Sequence, residues 1–251
     1  MTDEYILSAT QLTKTFKGFS AVSGVDLRVR RGTIHALIGP NGAGKTTCFN
    51  LLTKFLTPTS GTIHFDGTDI SEMSPAAIAR LGLVRSFQIS AVFPEMTSLE
   101  NVRIALQTKA GDTVSFWRSD STLRRLNAQA RALLDEVGLA DSSDTKAGDL
   151  SYGRKRALEI ATTMALEPRM MLLDEPMAGL GREDVDRIAA LIKRLSASRT
   201  ILMVEHNLSV VASLSDAITV LARGRVLAQG DYKTVSADER VIEAYLGAGH
   251  D

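Results

Sequence analysis

Apolar and polar residues alternate in two segments near the start of the chain, Tyr5–Leu12 and Val25–Arg31. A period of two residues is typical of strands that expose one face to solvent. The aromatic, turn-like sequence Phe16-Lys17-Gly18-Phe19 lies between the two segments. Together they predict an antiparallel sheet at the N-terminal end, and a further short strand closed by a turn is predicted at Gly61–Gly67.

Apolar runs predict a second group of strands, of which Met170–Leu173 is expected to be buried on both faces, as in a parallel sheet. The other predicted strands are Ile34–Ile38, Leu83–Gln88, Thr200–Val204 and a hairpin at Ala217–Leu221 and Arg225–Ala228. Helices are predicted at Thr46–Phe55, from Pro75 after an N-cap at Ser74, from Leu99, at Thr122–Val137, from Leu150, at Arg182–Ser196 and at Asp238–Leu246. We interpret the segment from Gln88 to Gly148 as a mainly helical insertion into an α/β core.

A phosphate-binding loop lies between the first buried strand and the helix that follows it. Its residues are Gly39, Pro40, Asn41, Gly42, Ala43, Gly44, Lys45, Thr46 and Thr47. Glycines let successive backbone N–H groups point at an anion, and the helix N-terminus adds partial positive charge. Lys45 is expected to reach the β- and γ-phosphates and Thr46 to ligate Mg²⁺. The alternative, a glycine-rich turn that happens to precede a helix, explains neither the lysine nor the threonine.

Composition and charge exclude several other classes of protein. Of the 251 residues, 44% are hydrophobic and 23% are charged, a profile typical of globular proteins. Lys plus Arg and Asp plus Glu each number 29, so net charge gives no reason to expect binding to nucleic acid or to an acidic membrane. The single Cys48 excludes an internal disulfide, and we expect it to be a buried apolar residue. The sequence has neither the basic start of a signal peptide nor an apolar run long enough to span a bilayer, so any membrane role is expected to come through a partner.

Two acids follow directly after the buried strand at Met170–Leu173. Asp174 is expected to hold Mg²⁺, through water, because hard cations prefer carboxylate oxygens. Glu175 is expected to polarise the attacking water. The alternative is an ordinary strand end with solvated acids. The phosphate-binding loop in the same chain favours the catalytic interpretation.

These motifs, taken in their order along the chain, resemble those of ATP-binding cassette (ABC) ATPases. The motifs are GPNGAGKTT, Gln88 after a strand, the signature Leu150-Ser151-Tyr152-Gly153, MMLLDEP, AGLG and His206. The resemblance covers about Leu7 to Leu246 and implies an α/β fold. That fold has a RecA-like P-loop NTPase core, an antiparallel β subdomain and a helical subdomain over about 88–165, within one nucleotide-binding domain spanning 1–251. Tyr152, RSFQ (85–88), EMTSLENV (95–102) and VIEAYLG (241–247) are most similar to the subfamily that serves branched-chain amino acid importers.

The resemblance implies roles for further residues, each with an alternative. Phe16 would stack on adenine, the alternative being a core residue at a strand end. Gln88 would sense Mg²⁺ and water and abut the membrane partner, the alternative being a surface amide. His206 would contact the γ-phosphate, although an isolated histidine is usually structural. Ser151 and Gly153, at a helix N-terminus, would bind the γ-phosphate of the nucleotide held by the opposite subunit, so that an active site requires two chains.

Two residues depart from the family pattern. Arg154 stands where glutamine is common in the signature, and Gly181 stands where an aspartate or asparagine usually ends the loop after the catalytic glutamate. We expect the first to leave hydrolysis intact. The second removes a side chain from the expected dimer interface and so puts the coupling between subunits in question.

The sequence therefore predicts an ATPase that uses ATP and Mg²⁺ and energises an ABC importer of branched-chain or related amino acids. Its expected partners are membrane-spanning permease subunits, a second identical or paralogous ATPase chain and, indirectly, a periplasmic binding protein, with no nucleic acid. Its expected location is the cytoplasmic face of the inner membrane, bound to the permease. The alternatives are an importer of urea or short amides, an exporter of lipid or polysaccharide, or an ABC ATPase without a transporter. The sequence does not decide among the cargoes.

Overall fold

The computed structural model describes residues 4–86, 92–109 and 120–247, without the side chains of 120–125 and 246–247. The strands are β1 (Tyr5–Phe16), β2 (Phe19–Arg30), β3 (Ile34–Ile38), β4 (Ser60–Phe65), β5 (Thr68–Asp69), β6 (Leu83–Arg85), β7 (Met170–Asp174), β8 (Thr200–Val204), β9 (Ala217–Ala222) and β10 (Arg225–Gly230). The helices are α1 (Lys45–Leu52), α2 (Pro75–Leu81), α3 (Ser98–Lys109), α4 (Asp120–Glu136), α5 (Tyr152–Met164), α6 (Arg182–Leu195), α7 (Leu208–Leu214), α8 (Tyr232–Ser236) and α9 (Glu239–Gly247).

The N-terminal strands form the predicted antiparallel sheet, in the order β2-β1-β4-β5. The turn between β1 and β2 consists of Lys17 and Gly18, both in the left-handed region with φ of 43° and 89°. This backbone twist suits a two-residue hairpin. Residues Val25 to Arg30 of β2 alternate between core and solvent, as the sequence pattern predicts. In β1 the alternation is interrupted, because Ile6 and Leu7 are both buried and Thr10 and Gln11 are both exposed, where the pairing with β2 is irregular.

The second sheet has six strands in the order β10-β9-β3-β8-β7-β6. Its strands pair in parallel except β10, which returns antiparallel to β9. Every residue of β3, β7 and β8 is buried, which explains why these strands are apolar runs in the sequence. The parallel pairing places the carboxyl ends of β3, β8, β7 and β6 along one edge.

Two apolar clusters cover the two faces of this sheet. Helix α1 packs between the sheets, with Cys48, Phe49 and Leu52 fully buried against residues of both. The other face is covered by a cluster to which α3–α7 and α9 contribute. Burial raises the pKa of the Cys48 thiol to about 12, so the expectation of a buried apolar residue is confirmed.

The helical insertion is built from α3 and α4, which pack on each other and on α5. A capping box starts α3: the Thr97 N–H donates to Glu100 Oε2 over 2.9 Å, and the Glu100 N–H donates to Thr97 Oγ1 over 3.2 Å. Sequence patterns did not predict α7 or α8, which are too short to show a helical period. Their only signals are the N-caps Asn207 and Asp231. The predicted strand at Leu83–Gln88 ends at Arg85, and residues 87–91 lie outside the described part of the chain.

Candidate nucleotide-binding site

Four strand ends bring the predicted site together at one edge of the large sheet. The phosphate-binding loop follows β3, and the neighbouring strand β8 leads to His206. The next strand, β7, ends at Asp174 and is followed directly by Glu175, and β6 ends at Arg85. Ligand sites of open α/β sheets lie beyond the carboxyl ends of the strands, which is where these predicted residues lie.

The path of the phosphate-binding loop requires glycine at two positions. At Gly39, with φ of 151°, an added Cβ would lie 2.1 Å from the Leu221 carbonyl oxygen. At Gly44, with φ of 98°, an added Cβ would lie 2.6 Å from the Ala21 carbonyl oxygen. Gly44 is also the N-cap of α1, so the loop leads directly into the helix N-terminus. The loop therefore has the close backbone packing and helix dipole expected of an anion site.

Lys45 spans the loop at the first residue of α1. Its Nζ donates to the carbonyl oxygens of Gly39 over 2.7 Å and Pro40 over 3.1 Å. Burial lowers the pKa of Lys45, while the charges of Glu175 and, to a smaller extent, Asp174 oppose this. The predicted lysine and the two predicted acids thus interact electrostatically in one site.

The two acids at the end of β7 have different environments. Asp174 is buried, and its Oδ2 accepts a bond from Arg85 Nη2 over 2.6 Å. Glu175 is partly exposed and has φ of 46°, a left-handed conformation that few non-glycine residues adopt. Its N–H donates to the Val204 carbonyl over 2.9 Å, which fixes the turn beside β8. The Glu175 carboxylate lies at the site edge, with Oε1 at 3.8 Å from His206 Nδ1.

Sequence reasoning missed Glu205, a fully buried carboxylate at the end of β8. Its Oε1 accepts from the Met177 N–H over 2.9 Å, and its Oε2 accepts from the N–H groups of His206 and Asn207 over 3.2 and 3.4 Å. Glu205 thereby braces the loop after Glu175 against the loop that carries His206. The only signal in the sequence is an acid placed directly between an apolar strand and a histidine.

The signature residues start helix α5, with Ser151 as its N-cap. A Cβ added to Gly153 would lie 2.2 Å from Asp184 Cγ, so this helix start packs closely against α6. Arg156, one turn further, donates to Glu159 Oε2 over 2.8 Å and to the Glu175 carbonyl over 3.4 Å. The signature helix is thus bonded to the loop that follows β7 in its own chain. Among the described residues, no hydrogen bond joins Ser151 or Gly153 to the phosphate-binding loop.

The remaining predicted residues have mixed outcomes. Phe16 is 42% exposed, with Lys14 Nζ 5.2 Å from its ring centre, so the alternative of a core residue is wrong. Gln88 lies outside the described residues. Arg154 is bonded to Ser142 and, over 3.1 Å, to Asp141, which neutralises its charge within the helical insertion. Gly181 is exposed, and an added Cβ would meet open space.

The donor set at the site suits Mg²⁺ bound together with a nucleotide. The described residues contain no group of three His, Cys, Asp or Glu side chains placed to hold a metal by themselves. Mg²⁺ keeps several waters and needs only one or two protein oxygens beside substrate phosphates. The Asp174 carboxylate and the exposed Thr46 hydroxyl supply oxygens of this kind.

The sequence matches two protein families and many related proteins. Residues 22–178 match the ABC transporter family, and residues 225–251 match the branched-chain amino acid ATP-binding cassette transporter family. The chain is 43% identical to the high-affinity branched-chain amino acid transport ATP-binding protein BraF of Pseudomonas aeruginosa, covering 96% of this chain and 98% of that one. It is 39% identical to LivG of Escherichia coli K12, which has the same description, with the same coverage.

Solved structures confirm the fold. The ADP conformation of MJ1267, an ATP-binding cassette of an ABC transporter, superimposes with a TM-score of 0.86 at 30% identity, covering 97% of this chain and 99% of that one. The two sheets, the phosphate-binding loop and the helical insertion described above are consistent with this likeness. The chain belongs to the ABC transporter family, as an ATP-binding cassette with the P-loop ATPase fold.

Proposed function

We propose that this chain is the ATP-hydrolysing subunit of an importer for branched-chain or related amino acids. The observation that carries the proposal is the placement of Lys45, Asp174, Glu175 and His206 at one sheet edge, in a chain whose end matches the branched-chain family. None of the described helices could cross a bilayer. In this proposal the chain lies at the cytoplasmic face of the inner membrane with separate permease subunits, because its relatives are transport ATP-binding proteins.

Hydrolysis uses the residues in distinct roles. The loop N–H groups and Lys45 bind the β- and γ-phosphates. To reach the phosphates, Lys45 gives up its hydrogen bonds to the carbonyl oxygens of Gly39 and Pro40. Glu175 accepts a proton from the attacking water, and His206, beside it, orients the γ-phosphate. Thr46, Asp174 and Gln88 would hold Mg²⁺, which would supply positive charge beside the phosphates. Phe16 stacks on adenine.

The complete site is formed by two chains. Ser151 is exposed at the start of this helix, and its side chain makes no cap bond, so the helix N-terminus at Ser151 and Gly153 meets a γ-phosphate presented by another chain, either a second copy or a paralogue. Arg156 links this helix to the Glu175 carbonyl, so docking of the opposite nucleotide and placement of the base are connected.

The permease contacts the segment before α3. Phe93 and Met96 there are 52% and 37% exposed, whereas Val92 is only partly exposed and packs on the core. Asn101, which is buried, accepts the Phe93 N–H over 2.7 Å and donates to the Phe93 and Thr97 carbonyls over 3.1 and 2.9 Å. A rigid segment with exposed apolar side chains suits a helix from a permease.

Reconstitution tests this function. The chain is purified with the permeases and the binding protein from its gene neighbourhood and placed in liposomes with ATP. We expect leucine-loaded binding protein to stimulate both ATP hydrolysis and leucine uptake, and Glu175→Gln to abolish both. Stimulation by urea or an amide instead of leucine would contradict the cargo, and hydrolysis without any permease dependence would contradict the transport role.

A further inference from the structure

Arg85 connects three parts of the site that are far apart in sequence. It ends β6, and its Nη2 lies 2.6 Å from Asp174 Oδ2 on β7. Its Nη1 donates to Asn50 Oδ1 on α1 over 2.5 Å. The side chains of Arg85 and Asp174 are 10% and 1% exposed, so this ion pair is shielded from solvent.

In these shielded surroundings the charge of Arg85 and the charge of Asp174 compensate each other. The Arg85 guanidinium lies 5.8 Å from the ring centre of Phe49 and 6.0 Å from that of Phe55, and its Nε is buried without a hydrogen-bond partner in the described structure. Asp174 is its only carboxylate partner among the described residues. Removing one partner of a buried ion pair leaves the other charge uncompensated. Arg85 is the described residue whose side chain bonds the Asp174 carboxylate, so this bond holds its orientation.

The contact is also one-sided. Arg85 occupies Oδ2 of Asp174, and no hydrogen bond from a described residue reaches Oδ1. The same guanidinium holds Asn50, which lies on the helix that begins with Lys45 and Thr46. One planar side chain thus sets the position of the metal carboxylate relative to the phosphate-binding helix. A lysine could not replace it at both contacts, since its single ammonium lacks the fork.

We propose that Arg85 is a positioning residue for Mg²⁺: it holds Asp174 through Oδ2 and leaves Oδ1 directed to the metal or its water. This inference rests on the proposed metal role of Asp174. Residues that orient metal ligands typically contribute about 10–100-fold to metal affinity. Arg85 accordingly determines how much Mg²⁺ strengthens ATP binding, and not how strongly the loop binds the phosphates themselves.

The test is equilibrium binding of ATP to the full chain, once in excess EDTA and once in Mg²⁺. Arg85→Met should bind ATP in EDTA with the wild-type affinity. The increase in ATP affinity that Mg²⁺ causes should be about 10–100-fold smaller than in wild type. Arg85→Lys should fall between wild type and Arg85→Met. Arg80→Met, at an exposed arginine of α2, is the matched control and should behave as wild type in both conditions. Circular dichroism and thermal melting establish folding, and Arg85→Lys decides the question if Arg85→Met does not fold.

Asp174→Asn separates this inference from the function on which it rests. If Asp174→Asn retains the full gain from Mg²⁺, the metal role of Asp174 is wrong. If Asp174→Asn loses the gain but Arg85→Met retains it, only the role of Arg85 is wrong. An equal loss of affinity in EDTA and in Mg²⁺ would also overturn the proposal, because it would indicate a general structural role.

Discussion

His206 Nδ1 lies 3.8 Å from Glu175 Oε1, although the two residues are thirty-one positions apart in the chain. The Glu175 N–H is bonded to the Val204 carbonyl at the end of β8, and Glu205 binds both the His206 N–H and the Met177 N–H. The proposed base and the proposed γ-phosphate contact are therefore held by backbone bonds on both sides. Because the pair is already held in place, little free energy is needed to orient it when a substrate binds.

Lys45→Ala should abolish most ATP binding and hydrolysis, because it removes the side-chain cation of the phosphate-binding loop. A charge-assisted hydrogen bond contributes about 1.5–3 kcal/mol, so affinity should fall by roughly tenfold or more. Calorimetry and phosphate release measure the two effects. Lys233→Ala, at an exposed lysine of α8, should change neither. Unchanged binding by Lys45→Ala would refute the assignment of the loop.

Phe16→Ala should weaken ATP binding by roughly 1–3 kcal/mol, the range measured for stacking of a base on an aromatic ring. The turnover rate at saturating ATP should hardly change, since the ring does not contact the phosphates. Phe19→Ala is the matched comparison, because Phe19 is 69% exposed at the other end of the same turn. If Phe19→Ala weakens binding and Phe16→Ala does not, Phe19 is the stacking residue.

Glu175→Gln should convert the chain from monomer to dimer when ATP is added, because the site then binds ATP without hydrolysing it. ADP should leave the variant monomeric, since the γ-phosphate is the contact for Ser151 and Gly153. Adding Ser151→Arg should abolish the shift, whereas adding Ser236→Arg, on α8, should preserve it. Size-exclusion chromatography with light scattering measures the mass.

A failure to dimerise is decisive only with the right partner present. The experiment is therefore repeated with the paralogous ATPase from the same gene neighbourhood. If neither combination shifts with ATP, the two-chain site is wrong for this protein.

His35 should make the stability of the chain depend on pH. It is 5% exposed, its Nε2 lies 2.8 Å from Thr219 Oγ1, and burial lowers its pKa from 6.5 to about 4. Between these values the unfolded chain binds more protons than the folded chain, so stability is lost as the pH falls from 6.5 towards 4. At pH 5 this loss is about 2 kcal/mol. Urea unfolding at pH 5 and 7.5 should show this loss of unfolding free energy in wild type and in His64→Gln, but not in His35→Gln.

Glu205→Gln should destabilise the fold by about 1–3 kcal/mol, the cost of leaving a buried polar group without its partner. The glutamine amide oxygen can accept at most two of the three backbone N–H groups that the carboxylate accepts, and the amide presents an NH₂ donor to the remaining N–H group. Urea unfolding measures the loss, with Glu72→Gln, at an exposed glutamate, as the control. Equal stabilities of the two variants would show that Glu205 does not brace the loops.

The sequence by itself determined most of the strands and the main helices, and it predicted which residues form the candidate site. Ile34–Ile38 and Thr200–Val204 agree with their predicted bounds, and β7 extends one residue beyond the predicted Met170–Leu173 to include Asp174. These strands were predicted because a strand buried on both faces must be almost entirely apolar. The phosphate-binding loop was predicted because its glycines, lysine and threonine are consecutive in sequence. Local patterns of this kind need no knowledge of the fold.

Only the tertiary structure decided the contacts between distant segments. Arg85 is an ordinary strand residue in the sequence, and it becomes a partner of Asp174 only because β6 lies beside β7 in the sheet. Glu205 is a single acid in the sequence, and its role depends on the Met177 N–H, twenty-eight positions away. Strand order and the burial of single polar side chains depend on the packing of the whole chain, so the local periodicity of the sequence does not predict them.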